Sequence, residues 1–116
     1  MTITREDQIA RLNDRCRQGL DPTARIVVTR TCLARLAGDE PLGEVLAQAE
    51  LLASVRRYAF KPGDGPERDF GAFDLRGERI LFKIDYYDMA LAFGSEDPAD
   101  ASVTKRVLTI MLAEDY

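Results

Sequence analysis

The chain has 116 residues and a mass of 13.0 kDa, the size of one domain, so a single domain over residues 1–116 is expected. Its 46% hydrophobic and 31% charged residues exclude a disordered polymer. It carries 16 Lys+Arg against 20 Asp+Glu, a net charge of -4, and no His. That excludes imidazole acid–base catalysis, Ser-His and Cys-His pairs, and histidine metal sites.

The start, Thr2-Ile3-Thr4-Arg5-Glu6-Asp7, turns polar and acidic where a secretory signal needs an apolar core. The longest apolar run, around Val107–Ala113, falls far short of the ~20 residues that span a bilayer. A cytoplasmic protein without membrane contact is therefore expected. A helix follows over about Thr4–Gln18, capped by Thr4, with Ile9, Leu12 and Cys16 on one face. Cys16 and Cys32 show no CxxC spacing, and Cys16 on the apolar stripe reads as a buried free thiol. Gly19 and Asp21-Pro22 end the helix.

Arg25–Arg30 is rich in β-branched residues and predicts a short strand. Thr31–Leu36 is ambiguous and fits one helical turn. Asp39 is placed to cap a second helix with Pro41 in its first turn. Leu42, Val45, Leu46, Ala49, Leu52 and Ala53 are its expected buried stripe, and it runs to about Tyr58. Lys61–Pro66, with two Pro and two Gly, is a loop inside the domain.

Arg68–Tyr87 predicts a β-hairpin turning at Arg76-Gly77, which pairs Leu75 with Glu78. Asp74–Arg79, Ala72–Leu81, Phe70–Lys83 and Arg68–Asp85 then share one face, and Phe73, Ile80, Phe82 and Ile84 gather on the other, with Asp69 as its awkward member. Met89–Phe93 is expected as a third strand. Gly94–Asp100 is expected as an acidic turn, and about Ala101–Glu114 as a last helix capped by Asp100. The sum is an α+β domain: a three- or four-stranded, mostly antiparallel sheet with three helices covering one face.

The charge is uneven along the chain. Residues 1–36 net +3, residues 37–66 net -2 and residues 67–116 net -5. Asp85, Asp88, Glu96, Asp97, Asp100, Glu114 and Asp115 fall in strand ends, turns and a helix end. Solubility and helix capping are the simplest account of them. The sharper reading is an acidic surface, Asp85, Asp88, Glu96, Asp97 and Asp100, that docks on a basic protein partner. Arg5, Arg11, Arg15 and Arg17 are interrupted by acids and lack interleaved aromatics, so direct nucleic-acid binding is disfavoured.

Lys83-Ile84-Asp85-Tyr86-Tyr87-Asp88 is the densest polar-aromatic cluster. Lys83, Asp85 and Tyr87 project to one side of a strand and suit acid–base work, which keeps a His-free enzyme as the alternative. A charge-paired sheet face is the simpler account. Lys83, Tyr86 and Tyr87 are the alternative partner-binding set. Asp85 and Asp88 can approach Mg²⁺, but nothing in the pattern demands it. Glu78-Arg79-Ile80 lacks the Lys of a nuclease Glu-x-Lys, and no phosphate-binding glycine loop is present. No cofactor, metal or catalytic residue is expected.

Asp69-Phe70-Gly71, Lys83–Asp88, Gly94-Ser95 with Asp97-Pro98, and the run Arg106–Ala113 resemble a family of short, mostly alphaproteobacterial proteins known as a domain of unknown function. The resemblance extends to the N-terminal helix and Ile26–Thr29. It implies no catalytic residues. It does imply a mobile-element setting, where small acidic proteins often block host defence systems. The expected function is therefore a small protein-binding inhibitor or adaptor of anti-CRISPR or anti-restriction type. A homodimer joined through the face bearing Phe70, Ala72 and Leu81 is a further expectation.

Overall fold

The computed structural model describes residues 2–116. The first helix, α1 (Arg5–Arg17), starts where Thr4 accepts a hydrogen bond from the Asp7 backbone N–H at 3.0 Å. Strand β1 (Arg25–Val28) is short, because Thr29 leaves it to cap α2 (Arg30–Ala37) through the Cys32 N–H. The ambiguous stretch 31–36 is thus a full helix. Helix α3 (Gly43–Arg57) follows, then the hairpin β2 (Phe70–Leu75) and β3 (Glu78–Tyr87), and finally β4 (Lys105–Leu112).

The hairpin pairs Phe70 with Lys83 through to Leu75 with Glu78, the register its turn predicts. Arg76 and Gly77 both take positive φ, 52° and 82°, as a two-residue turn of this hand requires. Asp69 continues the pairing by accepting from the Ile84 N–H, and partial burial pushes its carboxyl above the usual range.

Two expectations fail after the hairpin. Met89–Phe93 is a folded loop, and Lys105–Leu112 is a strand where a helix was expected. The sheet order is β1-β4-β3-β2, with β4 antiparallel to β3 and parallel to β1. Arg106, Leu108, Ile110 and Leu112 alternate toward the core, but Val107 and Met111 fall between them, so the apolar run mimics a helical stripe. Asp100 still caps, but it caps the single 3-10 turn Ala101–Val103.

The core lies on one face of this sheet. Ile80, Phe82 and Ile84 of β3 align with Leu112, Ile110 and Leu108 of β4, all buried under the three helices. Tyr58 and Phe60 pack against Phe82 with ring centroids 5.1 and 6.0 Å away. Cys16 and Cys32 are buried free thiols in the same core, and burial pushes Cys16 up to about 11.

Helix α3 differs from its expected orientation. It starts at Gly43 rather than at an Asp39 cap, with Leu42 in the left-handed region and no side-chain cap. Its buried line is Gly43, Ala47, Leu51 and Val55, opposite the expected stripe. Gly43 lies so close to the Ala37 carbonyl that a Cβ there would overlap it. The small-residue face lets α3 seat against α2, and Leu42, Val45 and Leu46 are left exposed.

Arg17 closes the other end of α3. Its guanidinium donates to the Val55 and Arg56 carbonyls at 3.0 and 2.9 Å, serving acceptors that a helix terminus leaves open. Asp14 anchors Arg17 and accepts a two-pronged bond from Arg68 at 3.0 and 2.7 Å. Partial burial raises the Asp14 carboxyl, and the two guanidiniums outweigh it, holding it below the usual range. A lowered native pKa stabilises above the unfolded value of about 4 and is lost as pH falls through the native value. Asp14→Asn is expected to lower stability by about 1 kcal/mol at pH 6. In urea unfolding that gap should narrow as the pH is brought to about 2.

Candidate functional site

The segment between β3 and β4 is a fixed loop that turns apolar side chains outward. The Asp88 N–H donates to the Phe93 carbonyl at 2.8 Å, and the Ala92 N–H donates to Asp88 Oδ1 at 2.9 Å. Leu91 takes a positive φ of 60° at the bend. Ser95 rejoins the sheet by donating its N–H to the Tyr86 carbonyl. Its hydroxyl meets Thr104 Oγ1 at 2.7 Å, and the buried Thr104 hydroxyl donates to the Asp97 carbonyl.

The result is an aromatic side chain held in water. Phe93 is 75% exposed, with Met89 and Val103 also exposed. Asp88, Phe93, Gly94, Glu96 and Val103 line a cleft of about 260 Å³. Sequence reasoning placed Phe93 on a strand face and missed it. The available signal was an apolar residue directly before Gly94-Ser95, at a turn.

A buried cation secures this loop from beneath. Arg106 is 1% exposed, and among the described residues it has no carboxylate in ion-pair range. Its guanidinium donates to Asn13 Oδ1 at 2.7 Å and to the Pro98 carbonyl, and it lies 5.1 Å from the Tyr86 ring centroid. Asn13 in turn donates to the Tyr86 hydroxyl and the Glu67 carbonyl, and Tyr86 donates to the Glu67 carboxylate at 2.8 Å. Burial pushes the Tyr86 hydroxyl well above its usual range, which keeps it a donor.

The expected acidic surface is divided by the fold. Asp97 pairs with Arg5 at 3.0 Å, and Asp85 with Lys83 at 2.8 Å. Asp100 accepts from Ser102 N–H and hydroxyl. Arg35 joins Glu78 and Glu114, so the basic N-terminal third neutralises part of the acidic half. Asp88 and Glu96 have no cation in ion-pair range among the described residues, and both face the cleft beside Phe93.

Lys83, Asp85 and Tyr87 share the open sheet face, as their alternation predicts. Tyr86 points into the core instead and belongs to the Arg106 network. The hydrogen bond that Lys83 donates to Asp85 holds its ammonium above its ordinary value, the direction opposite to that of an amine base. The clefts of about 420, 260 and 200 Å³ are lined by none of these three residues. Among the described residues no three His, Cys, Asp or Glu side chains converge on a metal position, and no helix is long and apolar enough to cross a membrane.

Residues 30–115 match the model of a family described as "Protein of unknown function (DUF3768)". The chain belongs to the DUF3768 family. No curated protein and no solved structure matches it. The DUF3768 match takes in α2 through β4, and with them the Phe93 loop, Tyr86 and Arg106. Helix α1 and strand β1 lie outside the matched residues, so Asn13, which receives the Arg106 bond, comes from outside the family match.

Proposed function

We propose that this DUF3768 protein is a small protein-binding inhibitor or adaptor that docks through the Phe93 loop. The observation that carries the reading is the pairing of a 75% exposed phenylalanine with a loop that fixes it. An aromatic residue on a hydrogen-bonded loop needs little backbone ordering on association, which favours an interface hot spot. Asp88 and Glu96 flank it without intramolecular cations, so the complementary partner offers an apolar pocket with a basic rim. A nucleic-acid-binding groove of a defence protein is such a surface, which supports the anti-CRISPR or anti-restriction form of the proposal.

The test is quantitative affinity purification from the native host with three baits: the wild type, Phe93→Asp and Glu96→Lys. The expected result is one protein enriched by the wild type and lost by at least about tenfold with Phe93→Asp. Glu96→Lys should weaken capture more at low salt than at high salt. The captured protein should also lose its hold on nucleic acid when the wild type is added. Equal enrichment by wild type and Phe93→Asp contradicts the proposal.

A further inference from the structure

We infer that the outer face of α3 is a self-association surface, and that its occupant is the same helix of a second copy running antiparallel. Helix α3 is apolar on two opposite sides. One side, Gly43, Ala47, Leu51 and Val55, is buried in the core. The other carries Leu42, Val45, Leu46 and Ala49, all exposed, and then Leu52 and Ala53, half-buried with Leu52 packed partly on the core. Leu42, Val45 and Leu46 are 73%, 64% and 56% exposed, three large aliphatics within five residues. A surface helix of a lone domain is polar on its outer side, and one that is apolar all round is covered on both.

The charges select the occupant. Asp39 and Glu40 stand just before the N-terminal end of α3, and Arg56 and Arg57 at its C-terminal end; Glu44 turns to the inner side, beside Val28, Arg30 and Leu33. The four outer charges are exposed, and none takes part in an ion pair among the described residues. A second copy laid antiparallel about Ala49 brings the acidic end of each helix to the basic end of the other, twice by symmetry. Val45 and Leu46 then meet Ala53 and the uncovered part of Leu52 of the second copy between the two charged ends. The helix dipoles favour the same direction. A parallel pair would set like charges together at both ends. Such a surface is self-complementary, as a two-fold dimer requires. The sheet face first expected to dimerise is partly covered by its own chain, since Phe70 packs on Tyr116 with ring centroids 5.7 Å apart.

Sedimentation of the full chain over a concentration series tests the inference. The wild type is expected to dimerise. Leu46→Glu, at an exposed position, should raise the dissociation constant at least about tenfold with an unchanged circular dichroism spectrum. Asp39→Arg/Glu40→Arg and Arg56→Glu/Arg57→Glu should each weaken self-association, and mixing these two variants should restore a dimer. A wild type that stays monomeric up to about 1 mM overturns the inference. So does a dimer that survives Leu46→Glu, or a mixture of charge variants that fails to associate. Phe93→Asp should leave the dimer intact, which separates this surface from the proposed docking loop.

Discussion

Replacing Asn13 with leucine is expected to lower the unfolding free energy by on the order of 3 kcal/mol. Asn13 Oδ1 is the side-chain acceptor for the buried Arg106 guanidinium, and its amide serves Tyr86 and Glu67. Leucine is close in size but accepts nothing, so it leaves a cation desolvated without its partner. Breaking a buried polar contact from one side costs more than removing both sides. Arg106→Met in the Asn13→Leu background should therefore recover most of the loss, and a double-mutant cycle in urea measures the coupling. Arg106 also holds the Pro98 carbonyl, so Arg106→Met alone should raise hydrogen exchange at Asp97–Asp100. Additive losses in the cycle would show that Arg106 and Asn13 do not act together.

Phe82→Ala should cost about 3–5 kcal/mol, read from the same unfolding measurement. Phe82 is 1% exposed in a central strand and packs against Tyr58 and Phe60. The cavity cannot collapse readily, because β2 and β4 hold the strand on both sides. A loss much below this range would mean that Tyr58 and Phe60 move into the vacated space. Gly71, paired with Phe82, sits directly against the ring and leaves no slack on that side.

What the sequence revealed follows from how each signal is encoded. The hairpin register was legible from Phe70 to Leu75, because Arg76-Gly77 sets the turn and a one-residue slip would bury its charges. The expected Arg68–Asp85 pair does not form, since Arg68 takes a positive φ and bonds Asp14. The first helix was legible from Thr4 and the stripe through Ile9 and Cys16. Strand β4 was not, since Val107 and Met111 on its outer face interrupt the two-residue alternation and make the run fit a helical stripe as well. Helix α3 was found, but its facing was inverted, because both sides are apolar and the side with small residues won the core. The same competition makes its outer face notable.

The candidate site was legible only in part. Asp88 and Glu96 were named from charge, whereas Asp85 and Asp97 turned out to have cation partners brought in by the fold. Arg5 reaches Asp97 from the far end of the chain, a meeting that no local pattern encodes. Neither Arg106 nor Asn13 was singled out from the sequence, and only the packing of β4 against α1 makes them partners. Phe93 looked like a strand residue until the hydrogen bonds around Asp88 folded its segment outward.

The most direct test of the docking account is a photo-crosslinking phenylalanine analogue placed at position 93 in living native cells, with the same analogue at position 27 on the open sheet as the comparison. The account predicts one dominant crosslinked protein from position 93, reduced by Glu96→Lys, and little or none from position 27. Crosslinking to a partner from position 27 with none from position 93 would contradict it.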